Sequence, residues 1–255
     1  MAMIRFHQKT TKQQTLMIRT EPIIYTLSEK TFEGTISWDD ALVGKRPGVM
    51  VVATFRGQGS FETGKAEQLA KLGYVGFAID MYGQGRRGST PEEADALMHE
   101  LTSDRPLLSS RISETLRFFK QHSLIDAKKT AGIGFCFGGK CLLDLARTGA
   151  DISGIVSFHG VYDPPHPSDN TPIRSKVLIC HGWEDPLATP DQTLALANEL
   201  NAKGADWQLL AHGHTGHAFT NPLAANPSGG MFYQPDADRR SWEAMERFLS
   251  ESFGK

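Results

Sequence analysis

The run Gly134-Phe135-Cys136-Phe137-Gly138-Gly139 constrains this chain more than any other segment. An apolar, strand-compatible stretch, Thr130 to Phe135, leads into it, and a helix-compatible stretch, Lys140 to Arg147, leads out. A chain that passes from strand to helix in so few residues must turn sharply, with the tip residue in a strained conformation. Glycines two before and two after the tip remove the Cβ atoms that would crowd it. The tip residue is Cys136. The helix beginning after it offers the N–H of Phe137 to a developing oxyanion, and its N-terminus favours a thiolate. The opposing reading of such a cysteine is a small buried hydrophobe in a glycine-rich turn.

Two later segments supply partners for a reactive sulfur. Val177 to Cys180 reads as a short buried strand that runs into His181-Gly182-Trp183-Glu184-Asp185-Pro186, which places two carboxylates at a strand end. Trp207 to Ala211 reads as another strand, followed by His212, His214 and His217. The order is thiol, acid, histidine, with gaps that each hold about one βα unit and a loop. All three groups fall beyond the C-terminal ends of parallel strands, where open α/β sheets place their sites. The three histidines could suggest a metal, but a metal would leave the cysteine turn unexplained. Neither a metal nor a cofactor is expected.

The remaining pattern is alternating. Ile23–Leu27 and Thr31–Ser37 read as an antiparallel opening pair. Val49–Ala53 is fully apolar, as a strand buried on both faces should be. Lys65–Leu72 reads as a helix closed by Gly73, Tyr74–Ile79 as a strand, and 106–121 as an amphipathic helix from the spacing of Leu108, Ile112, Leu116 and Phe119. Ile152–Phe158 is another buried strand. Thr189-Pro190-Asp191-Gln192 carries a cap, a first-turn proline and a capping-box glutamine, which predicts a helix running to about Lys203. Trp242, Met245 and Leu249 mark a last helix. Residues 162–175 read as a loop, and residues 1–18 as a polar leader or arm ahead of one domain over 19–255.

Charge and cysteine usage narrow the class. The net charge of −2 over 255 residues gives no basis for binding nucleic acid or an anionic membrane. Three cysteines make no disulfide framework, so a reactive thiol in a reducing, cytoplasmic setting is the expectation. No apolar run is long enough to span a bilayer. A small-molecule substrate and a monomer or small homo-oligomer are expected.

GFCFGG at 134–139, LICHGWEDP at 178–186 and GHAFTNP at 216–222 together resemble the dienelactone hydrolases, as do FAIDMYGQG at 77–85 and ADRRSWEAMERF at 237–248. The resemblance runs from about Arg19 to the C-terminus. It implies an α/β-hydrolase fold: a mostly parallel twisted sheet, helices on both faces, and an antiparallel N-terminal strand pair. It also implies a Cys136–His217–Asp185 triad that cleaves a small ester or lactone through an acyl-thioester. Glu184 is then the solvated neighbour of the orienting acid, and Cys141 and Cys180 belong to the core. The oxyanion donors would be the N–H of Phe137 and that of Phe55 or Arg56. Tyr82, Trp183 and Phe219 could wall the pocket, and Arg86 and Arg87 could reach it to hold a substrate carboxylate. His159 and His181 end strands on the same side and could line the site, although a satisfied structural role is the stronger reading.

The chain departs from the family pattern twice. The family places a glutamate in the loop after the strand matching Val49–Ala53. Here that loop is Ala53-Thr54-Phe55-Arg56-Gly57-Gln58-Gly59, and the nearest acid, Glu62, is assigned to the following turn. The family arginine soon after the histidine is also missing, since Ala218-Phe219-Thr220-Asn221 follows His217. The first departure leaves His217 as the main partner of Cys136 and favours a resting thiolate–imidazolium pair. Two other classes fit the same residues: a retired hydrolase that binds a small ligand, and a thiol redox sensor.

Overall fold

Strands β1 (Ile18–Leu27) and β2 (Lys30–Asp39) form an antiparallel hairpin. Its two connecting residues, Ser28 and Glu29, have φ of 44° and 67°, the left-handed pair that matches the twist of a two-residue turn. The computed structural model describes residues 15–165 and 170–254. Most of the expected arm, 1–14, lies outside these residues; Met17 is already tied down, its N–H donating to Asp39 Oδ1 at 2.9 Å.

The chain continues through β3 (Arg46–Val52), α1 (Ser60–Lys71), β4 (Val75–Ala78), α2 (Pro91–Thr102), α3 (Arg105–Gln121) and β5 (Ile125–Phe135). Next come α4 (Phe137–Arg147), β6 (Gly154–Phe158), β7 (Lys176–Gly182), α5 (Pro190–Ala202) and β8 (Asp206–His212). A two-residue strand pair, β9 (Ala225–Asn226) and β10 (Met231–Phe232), precedes α6 (Pro235–Ser252). The main sheet has the order β1-β2-β4-β3-β5-β6-β7-β8, and every pairing from β4 to β8 is parallel.

The buried apolar run of β3 serves both faces. Val49 and Val51 join the layer of α1 and α6, with Ala66, Leu69, Met245 and Leu249. Met50 and Val52 join the layer of α3, α4 and α5, with Ile112, Leu142 and Leu196. Truncating one of these large aliphatic side chains to alanine would cost about 2–5 kcal/mol. Neighbouring strands β3 and β5 therefore send their helices, α1 and α4, to opposite sides. The crevice at their C-terminal ends is the topological switch point, where open α/β sheets bind ligands.

Several elements differ from the sequence reading: β1 and β5 begin five residues early, at Ile18 and Ile125, β9 and β10 have no counterpart in it, and two helices depart from it. Helix α1 starts at Ser60, five residues before the expected Lys65. Gly59 is its N-cap and has no side chain to offer, so Glu62 reaches back and accepts the Gly59 N–H at 2.9 Å. Helix α2 was not anticipated. Thr90 and Glu93 cap it reciprocally, at 3.2 and 3.3 Å, and Pro91 opens it. The described part of 162–175 has no helix or strand, and 166–169 fall outside the described residues. Among the described residues no helix is long and apolar enough to cross a membrane.

Candidate active site

The turn at Cys136 is fixed by backbone sterics. Cys136 has φ 53° and ψ −115° and is the N-cap of α4. A non-glycine residue held there costs about 1–3 kcal/mol, which the surrounding packing must offset. A Cβ on Gly134 would lie 2.3 Å from the Gly138 carbonyl oxygen, and one on Gly138 would lie 2.1 Å from that of Val52. Both glycines let α4 start directly against the ends of β3 and β5. The Cys136 N–H donates to the Phe158 carbonyl at 3.0 Å, which ties the tip to β6. As the first residue of the helix, Phe137 has no intrahelical acceptor for its N–H.

Asp185 and His217 meet beyond the ends of β7 and β8. His217 Nδ1 and Asp185 Oδ2 are 2.8 Å apart, and both side chains are buried. The other carboxylate oxygen of Asp185 accepts the Leu187 N–H at 2.8 Å, which fixes the acid's orientation. Glu184 instead lies at the surface against His214, 3.2 Å away. The His217 backbone is clamped by the β9–β10 segment: its N–H donates to the Gly230 carbonyl at 2.7 Å, and its carbonyl accepts from the Phe232 N–H at 3.1 Å.

His217 Nε2 is buried and makes no hydrogen bond to the described residues. Burial alone would lower the His217 pKa. The charge of Cys136 and the hydrogen bond to Asp185 reverse this and raise it to about 10. The other two cysteines do not compete as thiolates. Burial raises Cys141 well above its ordinary value and Cys180 to about 12.

The loop after β3 forms a turn closed by the Gly57 N–H on the Thr54 carbonyl at 3.1 Å. The Phe55 carbonyl accepts the Tyr82 hydroxyl at 2.8 Å, and the Tyr82 ring stacks on Phe137. Glu62 supports this loop from behind. Its carboxylate is buried, which raises its pKa, and the N–H groups of Gly59 and Thr54 act against that shift. With Thr54 engaged in this way, Phe55 and Arg56 sit at the apex of the turn.

A cavity of about 490 Å³ joins these parts, and Cys136, Phe137, His217, Phe55 and Arg56 all line it. Phe61, Met98, Val161, Leu187 and Met231 make most of its wall apolar. A larger cleft, about 710 Å³, lies beside α5, and among the described residues no Ser, Cys or His lines it. Other anticipated residues fall elsewhere. Tyr82 lies behind the turn after β3, with its hydroxyl committed to Phe55. Trp183 is half exposed, edge-on to His181, and outside the cavity. Phe219 is fully buried beneath His159 and His212. Arg86 pairs with Glu100, while Arg87 holds Asp80, the Glu33 carbonyl and Gln58, so neither guanidinium is on the cavity wall. The imidazole of His212 meets Ser241 at 2.9 Å, away from His217.

His159, for which a structural role is the stronger sequence reading, lines the cavity. It is buried, its Nε2 is 2.8 Å from Thr220 Oγ1, and its ring lies edge-on to His217 with centroids 5.0 Å apart. Burial and the neighbouring His217 push its pKa well below the usual value, so it stays neutral beside the triad. Met98 and Thr102 come from the unanticipated α2, and Lys140 and Asp163 add charge to the wall.

The model of the dienelactone hydrolase family matches residues 32–253. A crystal structure of a dienelactone hydrolase-like promiscuous phosphotriesterase from metagenomic libraries is 35% identical. It covers 93% of this chain and 99% of that one, with a TM-score of 0.88. A protein of Bradyrhizobium sp. described as a probable 2-oxo-3-(5-oxofuran-2-ylidene)propanoate lactonase is 26% identical over 79% of this chain and 82% of its own. An uncharacterized protein of Caenorhabditis elegans is 34% identical over 60% of this chain and 99% of its own.

Proposed function

Since this chain belongs to the dienelactone hydrolase family, we propose that it hydrolyses small esters or lactones with Cys136 as nucleophile, His217 as acid and base, and Asp185 as the group that orients His217. The observation that carries this reading is the buried Asp185–His217 pair, which leaves Nε2 unbonded in the cavity where a strained turn presents Cys136.

The steps follow from the geometry. The Cys136 thiolate attacks the carbonyl carbon, and the carbonyl electron pair moves to oxygen. The N–H groups of Phe137 and of Phe55 or Arg56 stabilise that oxyanion. As the tetrahedral species collapses, His217 Nε2 gives its proton to the departing alkoxide and an acyl-thioester remains. In a lactone the alcohol stays attached to the acyl group. Acylation removes the negative charge from sulfur, and with it the main influence that holds the proton on His217. His217 is then neutral and can take a proton from water, which attacks the thioester and releases the acid and the thiolate. Asp185 keeps Nδ1 protonated throughout and so directs Nε2 at the reacting atoms.

A panel of p-nitrophenyl esters and simple lactones, run on wild type and Cys136→Ala, tests the assignment. Turnover by the wild type and a loss of about 10²-fold or more in kcat for the variant are expected. Binding without turnover would favour the retired-hydrolase reading, and reversible Cys136 oxidation without esterase activity the redox-sensor reading. Wild-type-like kinetics in Cys136→Ala would end the mechanism.

A further inference from the structure

One part of the cavity wall is charged, and the charges are already matched. Lys140 follows Cys136 by four residues, on the same face of α4 one turn along. Its side chain is only 5% exposed, and its Nζ is bound to the Asp163 carboxylate. Arg105 Nη1 donates to the other Asp163 oxygen at 2.8 Å, and the Asp163 carbonyl accepts from Arg105 Nη2 at 3.1 Å. Behind this pair, Asp144 receives Arg105 and Arg147, and Arg147 reaches Glu199 at 2.7 Å. With Lys203, 3.9 Å from Glu199, the set holds four cations and three carboxylates among the described residues. Asp163 is its most exposed member, with a side chain 52% open, and it lines the same cavity as Cys136.

The rest of the lining gives an anion no better reception. Besides Cys136 and His217, the charged side chains on it among the described residues are Arg56, Lys140, Asp95 and Asp163, two of each sign. Arg56 Nη1 is turned onto the Gly88 and Ser89 carbonyls, both at 3.1 Å. Arg86 and Arg87 are paired outside the cavity.

We infer that Asp163 is a specificity-determining residue: by occupying Lys140 and Arg105 it makes this a site for uncharged acyl or lactone substrates and turns away those that carry a carboxylate. This rests on the hydrolase reading above, with Cys136 in the cavity. Removing the Asp163 charge would leave Lys140 with surplus positive charge on the wall, with Arg105 behind it still paired to Asp144. A substrate carboxylate could then take the place that Asp163 held.

The test uses two readouts. In the first, kcat/KM is measured for p-nitrophenyl butyrate and for mono(p-nitrophenyl) glutarate, each divided by its alkaline hydrolysis rate. The wild type should favour the neutral ester by about tenfold or more, and Asp163→Asn should raise the anionic-to-neutral ratio by about tenfold. Adding Lys140→Met should take most of that gain away. In the second, alkylation of Cys136 by iodoacetate and by iodoacetamide is followed by peptide mass spectrometry, which needs no turnover. Asp163→Asn should raise the iodoacetate-to-iodoacetamide ratio at least threefold. Unchanged ratios, or an equal shift from Asp95→Asn, would overturn the inference, as would wild-type enzyme that cleaves the glutarate ester as readily as the butyrate. The last comparison requires no variant to fold. No ester turnover with a shifted alkylation ratio would sink the hydrolase reading alone. Turnover that depends on Cys136 with no charge selectivity would sink this inference alone.

Discussion

The triad edge of the cavity and its charged wall are held by different forces. At the triad edge, position comes from close backbone approach. Gly134 packs against the Gly138 carbonyl and Gly138 against the Val52 carbonyl at the end of β3, and the His217 backbone is pinned on both sides. The ionic content there is a single buried pair oriented for chemistry. At the wall, Lys140, Arg105, Arg147, Asp163, Asp144 and Glu199 hold one another, and each is costly if left alone. Changing one charge at the first site should therefore alter rate more than folding, whereas changing one charge at the second should alter folding more than rate.

The sharpest test of that contrast pairs Asp185→Asn with Glu199→Gln. Asp185→Asn should lower kcat about tenfold to a hundredfold, because Nδ1 loses its charged acceptor and His217 its fixed tautomer, and it should lower Tm as well, because the buried His217 loses a group that helps hold its proton. Glu199→Gln leaves the buried Arg147 short of one counter-charge. It should cost about 3 kcal/mol, or roughly 6–10 °C in Tm, and calorimetry would check it. Equal losses of rate and Tm in both variants would erase the distinction. A smaller effect concerns pH. The His217 pKa is raised above its unfolded value, so the stability it contributes is fully present below about pH 6.5 and is lost as pH rises through about 10. Its imidazole signal by NMR should titrate near 10 in the wild type and clearly lower in Cys136→Ala, where burial acts without the sulfur charge. A His217 titration that does not move in the variant would refute the electrostatic link between the two residues. The smallest effect is expected for Arg86→Ala. Its exposed pair with Glu100 contributes little, and kcat/KM for neutral and anionic esters should stay within about twofold.

What was legible in the sequence depended on whether a signal was local. The strand–turn–helix pattern around Cys136 maps directly onto β5 and α4, because the two glycines and the flanking apolar runs act within a dozen residues. The cap at Thr189 and the opening hairpin were readable for the same reason. Helix α2 carried an equally local cap in Thr90-Pro91-Glu92-Glu93. It was passed over because only Ala94 and Leu101 are buried along it, so its apolar spacing is faint. Glu62 was assigned to a turn because its cap is inverted: the glycine has no side chain and the glutamate does the capping. The wall residues were the least legible. Tyr82, Trp183 and Phe219 lie near strand ends as expected, but which way each ring points depends on neighbours such as Phe55, His181 and His159. Arg86 and Arg87 looked available because Glu100 and Asp80 join them only after folding. Lys140 sits in the elbow helix itself, and its partner Asp163 is 23 residues away.

The switch point between β3 and β5 has a mechanical consequence. The proposed oxyanion donors stand at the start of α4 (Phe137) and ahead of α1 (Phe55 or Arg56), and these helices belong to hydrophobic layers on opposite sides of the sheet. The spacing of the two N–H groups is thus a measure of how firmly the layers are bolted together through the strands. Any shear between the layers would open the gap between the donors while leaving Cys136, His217 and Asp185 individually intact. Such an enzyme would lose its grip on the transition state before it lost its fold, and its activity would act as a gauge of slippage in the scaffold.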